Sequence, residues 1–268
     1  MSERKLRKGW AEAPLSDIAT VVMGENPPKR ALNHDGRGLP FLRWSPKFRS
    51  HPPKPRVWCT GSATIAHRGD VIVSVHEPVG HALIATRRYA IGRGLAALRP
   101  LGGIPADWVF YVLAWIRSEK ERRASGAAPV AVEWGALEDL VVPVVPLPEQ
   151  RRIVAKLKKS RAFAKICRRR VEEARRNLDR VRRDQRVACQ GRSTEEWKHV
   201  SVEAADLDEA CASMTKTIGI FERRLCLIWA FSGQLVDTEA KLARAEGRSY
   251  ETAKQLIERV SAERRRRE

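Results

Sequence analysis

The sequence predicts an α+β chain: one mixed α/β domain, then long coiled-coil helices folded as an antiparallel arm, then a short helical tail. Three observations predict it. Up to residue 148, short apolar runs are separated by Gly, Pro and charged turns. From Ile153 onward, apolar residues recur at alternating spacings of 4 and 3 for more than five heptads. A second seam of the same spacing begins at Leu207. The expected boundaries are 1–148 for the mixed domain, 149–191 for the first helix and 192–205 for a connector. A second helix over 206–233 and a tail over 234–268 complete the chain.

In the first domain, residues 24–56 are rich in Pro, Gly and basic residues and read as a long surface loop with one strand at Leu39–Trp44. Further strands are expected where Asp70–Val75, His81–Ile84 and Leu140–Val145 form apolar runs bounded by turn formers. A helix is expected at Asp107–Ser118, capped by Ala106-Asp107. Its apolar character all round implies burial. Pro146 and Pro148 forbid helix before them, and Glu149 and Gln150 then fall in a first helical turn whose positive dipole end suits a carboxylate.

The first seam runs Ile153, Leu157, Ser160, Ala164, Cys167, Val171, Ala174, Leu178, Val181, Gln185, Ala188, and a helix over 149–190 spans about 60 Å. Gly191 can end it, and 192–205 reads as a polar connection. The second seam runs Leu207, Cys211, Met214, Ile218, Phe221, Leu225, Ile228, with Gly219 as a weak point and Ser232-Gly233 as the stop. The tail is expected to be helical over 237–267, capped by Thr238 or Asp237. Ala188-Cys189-Gln190-Gly191-Arg192 aligns with Ala230-Phe231-Ser232-Gly233-Gln234 at an offset of 42, which points to a duplicated arm.

Charge narrows the function classes. The 268 residues carry a formal net charge of +19, and its distribution is uneven. Residues 151–192 hold 17 Lys and Arg against 4 Asp and Glu, whereas 193–268 are nearly balanced at 13 against 14. A solvated helix face normally mixes signs, so a polyanion is expected nearby, with nucleic acid first and an acidic protein second. No run approaches 18 apolar residues and no leader pattern opens the chain, which reads as soluble, intracellular and cytoplasmic, without a membrane partner. Five cysteines without C-x-x-C spacing read as reduced thiols.

Catalytic patterns fail on inspection. Asn26-Pro27-Pro28-Lys29 is similar to the Asn-Pro-Pro-aromatic motif of amino-methyltransferases, but Lys29 stands where a ring must stack on the base. His76 and His81 are five apart and interrupted by Pro78 and Gly80, so they do not share a metal on one helix face. No phosphate-binding loop or nucleophile elbow occurs. The chain is expected to be non-catalytic, with no metal and no cofactor of its own. What remains is recognition. The candidate DNA-binding residues are Lys29, Arg30, Arg43, Lys47, Arg49, Lys54, Arg56, Arg87, Arg88 and Arg93, interleaved with Trp44 and Trp58.

Taken together, these residues resemble the specificity (S) subunits of type I restriction-modification systems. The likeness is carried by Trp10 with Leu15-Ser16-Asp17-Ile18-Ala19 and Met23-Gly24, by Leu39-Pro40-Phe41-Leu42-Arg43, and by Arg68-Gly69-Asp70-Val71-Ile72-Val73. It is most specific where Glu138-Asp139-Leu140-Val141-Val142-Pro143 leads into Pro146-Leu147-Pro148-Glu149-Gln150-Arg151-Arg152-Ile153-Val154. Ala188–Trp197 resembles the end of the family's central conserved region, and Ala230–Val236 with the tail Glu239–Arg265 resembles its C-terminus. Only 198–206 stand where a second target recognition domain usually lies, so the chain looks like a half-size form. The resemblance implies that residues 1–148 form a DNA-recognition domain binding double-stranded DNA. It also implies a modification (methyltransferase) subunit as partner and a restriction subunit as an optional one. S-adenosylmethionine, ATP and Mg2+ belong to those partners.

Helix-seam and assembly residues are then Ile153, Leu157, Val171, Leu178, Val181, Leu207, Met214, Ile218, Phe221, Leu225 and Ile228. The two seams are expected to pack antiparallel, as a hairpin within one chain or across a dimer. Self-association would make the target a split palindrome, and the dimer is preferred. Two other readings stay open: a coiled-coil interaction scaffold for an acidic partner, and a non-functional remnant of a full-length subunit.

Overall fold

A computed structural model describes residues 6–43, 55–61, 63–76, 80–124, 137–188 and 194–266. Residues 1–155 together with 229–268 form one compact unit, and 156–228 form another. The strands in chain order are β1 (Ala11–Pro14), β2 (Ala19–Met23), β3 (Leu32–Asn33), β4 (Leu39–Leu42), β5 (Trp58–Cys59), β6 (Ile65–Ala66), β7 (Val71–Ser74), β8 (Ala82–Ile84), β9 (Tyr89–Ile91), β10 (Leu95–Pro100) and β11 (Val141–Val144). The helices are α1 (Leu15–Ile18), α2 (Ala106–Ala124), α3 (Leu147–Ala188), α4 (Thr194–Ile220), α5 (Cys226–Phe231), α6 (Glu239–Glu246) and α7 (Ala253–Arg265). The chain is thus α+β, with mixed sheets, one long helix and further helices.

An antiparallel sheet in the order β2-β10-β7-β8 and a mixed sheet in the order β3-β5-β4-β9-β6 share a core. Ile72, Leu83, Leu95 and Ala97 of the first pack with Leu42, Ala66, Tyr89 and Ile91 of the second. Helix α2 covers the other face of the antiparallel sheet. That explains why β7 is buried at all four residues and reads as a continuous apolar run rather than an alternating one. Trp108 through Leu113 are buried on α2, as its all-round apolar sequence predicted. The helix is longer than expected at its C-terminal end, because only packing against the core was legible in its sequence. β1 pairs with β11, where Pro143 sits opposite Glu12 in a two-stranded ribbon that leaves its missing N–H without consequence.

The C-terminal segment completes this first unit. Phe231 sits with its ring centroid 5.3 Å from Trp108 and 5.0 Å from Trp115. Ala253 N donates to Gly9 O at 3.0 Å, and Arg264 Nη1 to Ser16 O at 3.1 Å. Gly102 (φ +57°) meets α7 so closely that a Cβ there would lie 2.1 Å from Val260 Cγ2.

Several element expectations need correction. The strand expected at Leu39–Trp44 stops at Leu42. Residues 192–205, expected as a polar connection, are helical from Thr194, since a polar sequence without Pro or Gly after 194 has nothing to stop a helix. The tail is two helices. Thr238 caps α6 by accepting from Lys241 N, Gly247 ends it in the left-handed region, and Thr252 with Gln255 builds a capping box for α7. Helix α3 starts at Leu147, tolerating Pro148 in its first turn, where no intrahelical N–H is lost. A π-helical turn at Phe221–Leu225 joins α4 to α5. It inserts a residue into the α-helical register, so the strict 4-and-3 spacing through Phe221, Leu225 and Ile228 does not hold one straight face. Among the described residues no helix is long and apolar enough to cross a membrane.

Candidate nucleic-acid interface

Sheet register sorts the candidate residues into groups. β4 and β9 run parallel, with Phe41 opposite Ala90 and Leu42 opposite Ile91, and Gly92 N donates to Leu42 O at 2.8 Å. Beyond them the chain continues into Arg43 on one side and Arg93 on the other. β5 is antiparallel to β4, and Phe41 N donates to Val57 O at 2.9 Å, so Arg56 reaches the same end. His34 joins it, its Nδ1 lying 2.8 Å from Arg56 O. Val75 N donates to Gly94 O at 2.9 Å, which brings the start of the 75–81 loop there too. One end of the domain therefore gathers the segments after β3, β4, β7 and β9, a set of loops on a rigid scaffold. Trp44, Lys47, Arg49 and Lys54 lie outside the described residues.

Arg87 and Arg88 lie at the opposite end of β9. Ile65 pairs with Ala90 and Ala66 with Tyr89, so the 67–70 turn comes beside them. This places Arg68, which the sequence reading did not select, with Arg87 and Arg88. Arg87 stacks over the Tyr89 ring at 5.5 Å. Beneath the turn, buried Asp70 accepts from Arg99 Nε at 3.1 Å and Nη2 at 3.0 Å and from His67 N at 2.7 Å. That bidentate bond raises the Arg99 pKa and locks the turn. Lys29 and Arg30 form a third site, in a 3-10 turn tied through Ala31 O to Thr60 N at 2.9 Å. The structure thus separates what sequence alone left as a single cluster.

Among the described residues, no ion pair involves Lys29, Arg30, Arg43, Arg56, Arg88 or Arg93, all exposed. By contrast, Arg37 is paired with Asp35, and Arg259 with Glu251 and Glu263. Uncompensated cations on loops at the ends of one small domain make a surface suited to phosphates and base edges. A cleft of about 800 Å3 lies between Thr20, residues 99–103 and α7, but its arginines are already engaged by Asp70, by Glu251 and Glu263, and by Ser16 O.

Sequence reasoning also missed a buried carboxylate junction. Trp10 Nε1 donates to Glu149 Oε1 at 2.9 Å, and Glu239 N donates to Glu149 Oε2 at 2.8 Å. Glu239 in turn takes Arg152 and Arg248, each at 2.7 Å. Burial pushes the Glu149 carboxyl above the usual carboxylate range, and its bonds from Glu239 N and Trp10 only partly oppose this. Burial acts the same way on Glu239, but the bonds from Arg152 and Arg248 outweigh it and hold that carboxyl low. Glu149 is therefore a structural acceptor more than a partner of the helix dipole. Gln150 is buried beside it, its Nε2 donating to Val145 O at 2.8 Å. His81 Nδ1 accepts from Arg117 Nη1 at 2.6 Å, and among the described residues no group of three or more His, Cys, Asp or Glu could hold a metal.

Along the seams, Ile153, Leu157 and Ala164 are buried, Val171, Ile218, Phe221 and Ile228 half-buried, and Leu178 half-buried. Leu207 and Met214 are 52% and 57% exposed, and Leu225 is exposed as well. Val181 lies on α3. Phe163 and Ile166, outside the seam, are also exposed.

The family model described as "Type I restriction modification DNA specificity domain" matches residues 7–174. A putative type I restriction enzyme MjaX specificity subunit from Methanocaldococcus jannaschii is 33% identical over 139 residues, covering 52% of this chain and 33% of that protein. The crystal structure of the HsdS subunit from Thermoanaerobacter tengcongensis aligns with a TM-score of 0.50 and 28% identity, over 87% of this chain and 47% of that one. A chain from a structure describing complex assembly and conformational transition of the type I R-M system aligns with a TM-score of 0.51 and 29% identity, over 87% and 48%. The chain spans about a third of the curated relative's length and about half that of the solved ones. With its family domain matched over 168 residues and its fold shared with such subunits, the chain belongs to the type I restriction-modification specificity family.

Proposed function

We propose that this chain is a half-size specificity subunit that binds double-stranded DNA in a defined sequence and positions an adenine methyltransferase on it. The observation that carries this reading is the set of exposed cations without an ion pair among the described residues that register gathers at one end of the first unit, Arg43, Arg56 and Arg93. The modification subunit, and on occasion a restriction subunit, would bring S-adenosylmethionine, ATP and Mg2+. Self-association through the helices is supported by the exposure of Leu207, Met214 and Leu225 in the single chain. Two copies related by a two-fold axis would read a split palindrome, with the helices setting the distance between half-sites.

Long-read methylation mapping of DNA from cells co-expressing this chain with its modification subunit tests the reading. A methylated split palindrome is the expected result. A single half-site motif would exclude the two-fold arrangement, and absence of any motif would return the chain to a scaffold or remnant role.

A further inference from the structure

Asn26-Pro27-Pro28-Lys29 lacks the aromatic fourth residue of the motif it is similar to, yet its first residue is built into the fold. Asn26 Oδ1 accepts from Arg93 N at 3.0 Å, across 67 residues of sequence. The turn it grips is held on other sides too. Gly92 N donates to Leu42 O at 2.8 Å, Gly24 N to Leu95 O at 2.8 Å, and Val75 N to Gly94 O at 2.9 Å. The two segments interlock through glycines. A Cβ at Gly24 would lie 2.4 Å from Gly92 O, and one at Gly92 would lie 2.8 Å from both Asn26 Oδ1 and Phe41 Cζ. Gly94 takes φ +88°, open only to a residue without Cβ. Pro27 and Pro28 then fix φ in the segment that leaves the clasp.

Four separate ties hold the backbone of the 92–95 turn, one of them at Arg93 N, and the exposed guanidinium that Arg93 carries there has no ion pair among the described residues. A phosphate contact does not need such placement, because a long side chain on a loose loop reaches a phosphate from many directions. Bidentate reading of a base edge does need it, since two N–H groups must meet two acceptors at fixed spacing. Resting on the reading of this domain as a sequence-specific DNA binder, we propose that Arg93 reads a base edge, guanine in the major groove, and that Asn26 is its positioning residue. Arg87 and Arg88, on the turn at the other end of β9, supply phosphate contacts.

The test compares Arg93→Ala, Arg93→Lys, Asn26→Ala and Asn26→Asp in the complex with the modification subunit. Each is assayed by methylation mapping, by binding to cognate and unrelated duplexes, and by Tm. Arg93→Ala is expected to relax one base-pair position and to weaken cognate binding on the order of 10- to 100-fold, with unrelated duplexes little affected. Lys at 93 should not restore the lost discrimination. Asn26→Ala should relax the same position, and Asn26→Asp, which keeps an acceptor oxygen, should recover it. Equal weakening of cognate and unrelated binding by Arg93→Ala would overturn the proposal, as would a loss in Asn26→Ala that merely tracks Tm. Arg93 is exposed, so its variants report even if Asn26→Ala fails to fold. A wild-type complex with no sequence preference would sink the underlying function instead, which separates the two failures.

Discussion

Glu239 shows how one side chain can hold a domain boundary in place. It is buried and bonded by two guanidiniums that keep access to water on their outer sides. Replacing it with Gln removes the counter-charge of Arg152 and leaves Arg248 paired with Glu246 alone, and should cost about 1–3 kcal/mol in urea unfolding. Its folded pKa is lowered, so its stabilisation is full above the ordinary carboxylate pKa of about 4.5 and is lost as pH falls through the lower folded value. Glu149 has the opposite sign: its folded pKa is raised, so protonation as pH falls relieves a penalty rather than removing a benefit. Glu239→Gln should therefore flatten the acid limb of a stability–pH curve, and an unchanged limb would show that other carboxylates dominate it. None of this was legible in the sequence. Glu149 in a first helical turn looks like an ordinary dipole partner, and nothing local marks Trp10 and Glu239 as its neighbours from opposite ends of the chain. The basic loop residues were legible as types, but only strand register could divide them between two ends of one sheet.

Elements were legible where one pattern dominated. The long basic helix follows from its periodicity, although among the described residues its buried apolar ones are Ile153, Val154, Leu157 and Ala164 near its start. Buried α2 and the apolar strand β7 follow from composition, because the core surrounds them. Polarity marks 192–205 as a connection but does not set its conformation, and helix propensity carries α4 through it from Thr194. The π turn at Phe221–Leu225 left no trace in the spacing, since a one-residue insertion in a helix is a backbone event. The packing of Phe231 on Trp108 and Trp115 gives an element-level prediction: Phe231→Ala should cost about 3–5 kcal/mol, read by thermal or urea unfolding. A cost near zero would mean that α5 does not anchor the recognition domain. On the helices, joint replacement of Leu178 and Leu225 by Asp should abolish assembly with a second copy. Light scattering checks this, and an unchanged complex mass would remove these two positions from the assembly surface.

At the level of the whole molecule, the DNA binding proposed for this chain of net charge +19 should weaken steeply with salt, log K falling by about 0.9 per phosphate neutralised for each tenfold rise in salt. Joint Arg87→Ala and Arg88→Ala changes should reduce that slope by about 2 without shifting the methylated motif. An unchanged slope would remove these two from the DNA contact. The junction of Trp10, Glu149 and Glu239 and the seat of Phe231 on α2 carry a consequence for the order of synthesis. The first unit is begun before the arm is made and closed after it, since its two segments flank residues 156–228. When residue 155 has been made, Trp108, Trp115 and the Glu149 carboxylate still lack partners that lie more than 70 residues downstream. At about 5–20 residues per second, that apolar face waits several seconds before Phe231 and Glu239 arrive to cover it. The yield of folded protein should therefore depend on translation speed through the arm more than through the domain itself.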